Sequence, residues 1–179
     1  AACQRHGAYF RNGEEARKVG ALCFYRDGRR KKERAGYSAE TLANRGGINA
    51  PAGGTLLLAE RKYVSDADPY SRGFLAPVLA CYTEDDWRHA CEKCIELLLY
   101  ERKAHTLVIH SNDQEVIEQF ALKKPVARML VNTPAALGGM GVTPNLFQAM
   151  TLGSGSAGQG IRADNITPLN LVYIRRVGD

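Results

Sequence analysis

Three groups of residues in this chain could carry chemistry, and each stands at a spacing that can be tested. Gly153, Gly155 and Gly158, in the stretch TLGSGSAGQG, form G-x-G-x-x-G, the spacing with which backbone amides cradle the pyrophosphate of a dinucleotide. That cradle needs a strand before the glycines, a helix after them and an acidic residue about 20 positions further on. Here Asp164, Asn165 and Pro168 follow Gly160, and an extended run then leads to Asp179, which leaves no room for a second strand and a ribose contact. A dinucleotide role for these glycines is therefore rejected. Cys91 and Cys94 form a C-x-x-C, but no second cysteine or histidine pair completes a tetrahedral set. No metal site is expected, and the two thiols are read as packing inward beside Trp87 and Ile95. His6 and His89 lie in polar surroundings, whereas His105 and His110 bracket the run HTLVIH. Strand ends are where α/β proteins place functional side chains, so His105 is a candidate for lining a site.

Composition bounds what can position such residues. With 179 residues, 45% of them hydrophobic and 24% charged, the chain fits one domain or one and a small appendage. No apolar run approaches the ~18 residues that a membrane span needs, and the opening AACQRHGAYF has no apolar stretch with a cleavage site. Five cysteines, an odd number, are scattered through segments that look helical or strand-like. They fit reduced thiols and a cytoplasmic location better than a disulfide framework. The net charge of +5 is unevenly placed: RDGRRKKERAG holds Arg26, Arg29, Arg30, Lys31, Lys32 and Arg34 against Asp27 and Glu33. Such a run could meet a polyanion such as RNA or an acidic protein surface, which is the alternative reading of the chain as a non-catalytic binding module. No aromatic residues are interleaved to stack on bases, and this favours a solvated loop over a nucleic-acid surface.

The elements follow from periodicity and caps. RNGEEARKVGALCF is a helix capped by Asn12, with Ala16, Val19, Leu22 and Cys23 on one face, stopping at the Asp27-Gly28 turn. YSAETLANRGG is a shorter helix from Ser38 to the Gly46-Gly47 pair. Thr55 to Glu60 and Ala76 to Tyr82 are short apolar runs bounded by Gly, Pro and Asp, and read as buried strands. TEDDWRHACEKCIELLLY is a helix capped by Thr83, followed by strand HTLVIH, helix NDQEVIEQFALKK capped near Ser111, and strand VARMLVN. This alternation gives an α/β class with a sheet between helices. Residues 133–168 are glycine-rich and irregular, and LNLVYIRRV, Leu169 to Val177, is a last strand with no hairpin partner.

Several segments taken in order then resemble a known family. GAYF, SRGFLAPVLACY, the stretch from HTLVIH through NTPAALGGMGVTPNLFQAMTLGSG, and DNITPLNLVYIRRV are similar to the C-terminal part of the CoA-acylating aldehyde dehydrogenases, which include acetaldehyde and propionaldehyde dehydrogenases of bacterial microcompartments. The resemblance runs from Gly7 to Val177 and covers well under half of the family's length. It implies a three-layer αβα architecture: a partial aldehyde-dehydrogenase-like catalytic domain over residues 1–168, and an oligomerisation strand over 169–179. It also implies the reaction of aldehyde, CoA and NAD to acyl-CoA and NADH. In that reaction a cysteine attacks the aldehyde, hydride passes to the nicotinamide, and CoA takes the acyl group from the thioester. In the family, the nucleophile and the cofactor-binding domain lie upstream of the segment matching Gly7. None of Cys3, Cys23, Cys81, Cys91 or Cys94 aligns with the nucleophile. No catalytic residue and no bound NAD or CoA is thus expected of this chain alone. His105, Thr106, Thr133, Pro134, Gly139, Gly141 and Ser154 are the candidates for the wall of a substrate or CoA cleft.

Departures from the family pattern bear on that expectation. Gly73 stands where relatives carry a glutamate four residues before the proline of SRGFLAP, a side chain expected near the nicotinamide ribose. Glu101, Arg102 and Lys103 replace glycine-rich sequence before the His-Thr pair, and Ser154 stands where relatives often have cysteine. The resemblance implies self-association through 169–177, the family's N-terminal half as a further partner, no membrane partner, and a place in the cytoplasm or a microcompartment.

Overall fold

The computed structural model describes residues 2–50, 53–101 and 106–178, and divides into two compact units, residues 1–90 and 91–179. The first begins with α1 (Ala2–Arg5) and β1 (Ala8–Arg11), then α2 (Gly13–Cys23), α3 (Ala39–Arg45), β2 (Leu56–Arg61) and β3 (Val78–Tyr82). The strands form one parallel sheet in the order β1-β2-β3. Leu57, Leu58 and Ala59 of the central strand are buried in succession, as expected where a parallel strand is covered on both faces. The Asn12 side chain accepts from the amides of Glu14 and Glu15 at the start of α2, and Ser38 Oγ accepts from Thr41 N at the start of α3. Both caps are the expected ones.

The core of this unit is Ala16, Val19 and Cys23 of α2, Leu42 and Ala43 of α3, Leu57 and Ala59 of β2, and Phe24, Tyr70 and Phe74 from the connections. Phe74 meets Phe24 edge-on at 5.0 Å between ring centres and Tyr70 at 4.8 Å. The Tyr70 hydroxyl donates to Ala16 O at 3.1 Å, which satisfies the polar end of a buried ring. Gly20 sits where α2 meets the 3-10 turn Pro69–Ser71, and a Cβ there would lie 2.7 Å from Pro69 Cγ.

Helix α4 (Trp87–Glu101) runs from the end of the first unit into the second, which adds β4 (Thr106–Ile109), α5 (Gln114–Lys123), β5 (Arg128–Val131) and the short α6 (Ala135–Gly139). Strands β4 and β5 are parallel, Thr106 opposite Arg128 and Ile109 opposite Val131. The α/β class expected from the alternation is thus observed. Two caps are corrected. At α4 the cap is Asp86, whose Oδ1 accepts from Arg88 N and His89 N at 2.8 and 2.9 Å, so the helix starts three residues later than a Thr83 cap requires. At α5 the cap is Asp113, accepting from Glu115 N and Val116 N. Ser111 lies two residues before that cap, its Oγ accepting from Asp113 N, its amide donating to Asn132 Oδ1 and its carbonyl accepting from Asn132 Nδ2.

The segment Leu169 to Val177 is also corrected as an element of this chain. A 3-10 turn covers Pro168–Leu171, and Val172 to Gly178 runs on exposed, outside every named strand. Its branched and aromatic residues favour extension, but a strand exists only where a neighbour supplies the hydrogen bonds. No helix among the described residues is long and apolar enough to cross a membrane.

Candidate functional site

The cleft-wall candidates fall into two groups in the second unit. Thr106 opens β4, and its Oγ1 accepts from Arg128 Nη1 at 3.2 Å. Thr133 and Pro134 follow the opposite end of the sheet, and three steps of parallel strand, about 10 Å, separate the two levels. Thr133 is buried, its hydroxyl hydrogen-bonded to Thr143 Oγ1. Pro134 is exposed and leads into α6, at whose end Gly139 is buried. Gly141 has φ +79°, and a Cβ on it would lie 2.5 Å from Phe147 O. Only glycine fits there, because an L side chain is both strained at that φ and in collision. His105 lies outside the described residues.

What ties these groups together is a hairpin-like loop over residues 151–166. Ile166 N donates to Thr151 O, Gly153 N to Asp164 O and Gly155 N to Arg162 O. Gly158 N and Gly160 N both donate to Gly155 O, at 3.1 and 2.7 Å. The amides of all three glycines of the G-x-G-x-x-G spacing, Gly153, Gly155 and Gly158, are therefore consumed inside the loop. The glycines serve close approach instead: a Cβ on Gly153 would collide with Arg162 O, one on Gly160 with Ser154 Oγ, and Gly155 has φ +67°. Asn165 Nδ2 donates to Gly139 O and Phe147 O, fastening the loop to the end of α6.

Arg128 fastens the other side. Its side chain is inside, the residue 7% exposed, with Nη2 donating to Gly153 O and Ala163 O at 2.9 Å each. Burial lowers its pKa from the ordinary arginine value, the physical mark of a cation taken out of water. The sequence reading passed over this residue, although a charged side chain inside the apolar run VARMLV was the available signal. Lys124, the second of a lysine pair, is a further buried cation that the sequence does not single out. It is 7% exposed, and its Nζ donates to Cys91 O at 3.0 Å and faces Cys91 Sγ at 2.6 Å, over the Phe120 ring. Cys91 packs inward as expected, while Cys94 is only half-buried, and burial raises its thiol pKa. Among the described residues no cluster of three His, Cys, Asp or Glu could hold a metal.

In the first unit Gly73 is exposed and its carbonyl accepts from Arg30 Nε at 2.8 Å. The basic run is partly tied down as well: Arg29 pairs with Asp27 at 2.7 Å, Lys31 donates to Ala21 O and Arg34 to Tyr37 Oη.

No family model matches the chain. Among curated proteins it is 32% identical to aldehyde-alcohol dehydrogenase 2 of Entamoeba histolytica, over 97% of this chain and 21% of that protein. Among solved structures it superposes with a TM-score of 0.91 on a probable aldehyde dehydrogenase from Listeria monocytogenes, at 45% identity over 98% of this chain and 39% of that one. An acetylating aldehyde dehydrogenase from Geobacillus thermoglucosidasius gives 0.87 at 33% identity, over 98% of this chain and 40% of the other. The chain matches the C-terminal part of the CoA-acylating aldehyde dehydrogenases. It spans about a fifth of the Entamoeba protein and about two fifths of the two solved chains. A propionaldehyde dehydrogenase from a Clostridium phytofermentans microcompartment shares the fold at TM-score 0.76 and 20% identity. A dinucleotide does not fit the glycine loop, where the amides of Gly153, Gly155 and Gly158 are spent on the loop's own carbonyls, and Gly73 offers no side chain to a ribose.

Proposed function

We propose that this chain is the C-terminal catalytic-domain portion of an NAD-dependent, CoA-acylating aldehyde dehydrogenase, and that it supplies cleft wall and oligomer contact, with the nucleophile elsewhere in the protein. The observation that carries the reading is superposition over nearly the whole chain at 45% identity and a TM-score of 0.91 on a probable aldehyde dehydrogenase. The cleft wall in this proposal is α6 at the carboxyl end of β4 and β5, where open α/β sheets bind ligands, with the Leu152 and Asn165 end of the loop 151–166 behind it and the rest of the loop running back to Arg128. Thr133 and Gly141 shape it; Thr106 and Ser154 support it from beneath through the Arg128 level.

The test is NADH formation from short aldehydes, CoA and NAD, measured on the whole gene product and on the isolated 179 residues. Turnover is expected from the first and none from the second. A folded whole product inert toward two- to four-carbon aldehydes would overturn the proposal. So would turnover by the isolated chain that is lost when one of its five cysteines becomes serine.

Self-association through 169–177 belongs to the same proposal. Leu171, Tyr173 and Val177 are 84%, 84% and 87% exposed, an apolar load that a second chain would cover. Sedimentation of the intact chain against one ending at Pro168 tests it: a shift from dimer toward monomer is expected, and a monomeric intact chain at tens of micromolar would refute it. A microcompartment location is proposed from the Clostridium phytofermentans relative alone.

A further inference from the structure

The first unit contains a cavity of about 690 Å³ between the last turn of α2, the turn after it, and the loop that follows β2. This volume lies within the range of small-molecule sites. Its floor is apolar, formed by the buried rings of Phe24 and Tyr70 with Pro69 and Ala21 beside them. Its walls are cationic. Arg17, Arg26 and Lys31 line it from the α2 side, and Arg61 and Arg72 from the loop side.

These charges differ in what already occupies them. Arg61 is paired with Asp68 at 2.7 Å, both largely buried. Arg72 donates to Gly28 O at 2.8 Å and reaches Asp66 at 3.4 Å. Arg17 and Arg26 hold no hydrogen bond or ion pair among the described residues. Lys31 uses one of its three donors on Ala21 O. Two acids, Asp66 and Asp68, thus face five cations, and the surplus sits on Arg17, Arg26 and Lys31. The basic run 26–34, which the dehydrogenase reading leaves without a role, is sorted by the fold: Arg29, Arg30 and Arg34 turn to Asp27, Gly73 O and Tyr37, while Arg26 and Lys31 turn to the cavity.

We propose that this cavity binds a small phosphomonoester, its phosphate between Arg17, Arg26 and Lys31 and its organic body on the Phe24 and Tyr70 floor. Two guanidiniums and an ammonium match a dianionic group with three acceptor oxygens. A monocarboxylate would use only part of that surplus and little of the volume. The proposal is independent of the dehydrogenase reading, since none of these residues belongs to the cleft wall.

The experiment is calorimetric titration of the chain with AMP, inorganic phosphate and adenosine at low salt. AMP is expected to bind with one-to-one stoichiometry, phosphate more weakly, and adenosine not at all. The double variant R17Q/R26Q, which removes two exposed side chains, is expected to lose about a hundredfold in AMP affinity, taking each charge-assisted contact at about tenfold. The control K32Q/K62Q removes the same charge away from the cavity and should stay within twofold. Thermal melting of both variants verifies the fold. Absence of AMP binding, adenosine binding as tightly as AMP, or equal losses in the two double variants would each overturn the proposal.

Discussion

Arg128→Met tests how the loop 151–166 is held. The variant keeps the length and apolar stem of the side chain but removes the donors to Gly153 O and Ala163 O, both at 2.9 Å, and to Thr106 Oγ1 at 3.2 Å. Hydrogen bonds from a charged donor contribute about 1.5–3 kcal/mol each, so the two short ones together come to about 3–6 kcal/mol. Against this, an unpaired cation no longer has to be buried, which returns a few kcal/mol. A net loss of about 2–3 kcal/mol is expected once both terms are counted. Urea unfolding followed by the fluorescence of Trp87, the one tryptophan, measures the loss as a lower midpoint at unchanged slope. Limited trypsin digestion locates it, because Arg162 on the loop should be cut sooner when the loop lifts. Arg128→Lys keeps the charge but lacks the fork that reaches acceptors on two sides, and should fall between the parent and the methionine variant. A methionine variant within about 0.5 kcal/mol of the parent, the usual span for surface changes, with Arg162 cut at the parental rate, would refute the role given to Arg128.

Gly141→Ala should destabilise the second unit by more than about 2 kcal/mol, since a positive φ costs an L residue about 1–2 kcal/mol before any clash, and Phe147 O stands 2.5 Å from the new Cβ; thermal melting measures it. The amide of His89, with smaller help from its side chain and from Arg88 N, holds the Asp86 carboxyl below its ordinary pKa. A depressed folded pKa stabilises above the unfolded value and is lost as pH falls through the folded one. Asp86→Ala should therefore lower stability at neutral pH, and its difference from the parent should vanish on acidification below the carboxylate range, as circular dichroism against pH will register. Burial raises the pKa of Cys23 and of Cys94, so iodoacetamide at pH 7.5 should label exposed Cys3 first, leave those two slow, and modify all five only in urea; peptide mass mapping distinguishes the cases.

The elements legible in the sequence were those whose ends are made locally. Asn12 and Ser38 cap α2 and α3 through bonds to residues two or three positions away, and such bonds can be read off a string of residues. At α4 two capping residues, Thr83 and Asp86, compete in one stretch, and the sequence carries no term that decides between them. Strand β1 went unread because its four residues gain their identity from pairing with β2, nearly 50 positions on. Leu169 to Val177 is the converse case, with strong propensity but no pairing strand among the described residues. At the candidate site, the rejection of the G-x-G-x-x-G cradle followed from missing flanks. Where those amides go instead, to Arg162 O, Asp164 O and Gly155 O, depends on a chain reversal that composition does not encode. Arg128 stood in plain view as a charge within an apolar run, whereas Lys124 is the second of a lysine pair and carried no such signal. The carbonyls that accept from Arg128 lie 25 and 35 residues away, which is why its partners could not be named in advance.

That separation also orders events in time. The donors of Arg128 have nothing to grip until residues 151–166 have folded back, and its position on β5 is not fixed until that strand has paired with β4. Closing the loop is an entropic cost that comes before any of those hydrogen bonds can form. The β4-α5-β5 crossover is then expected to assemble first and the loop to dock on it afterwards. A mutation at Arg128 would then leave the refolding rate nearly as it was and show itself in faster unfolding, so the loop sets how long the unit stays closed more than how quickly it is built.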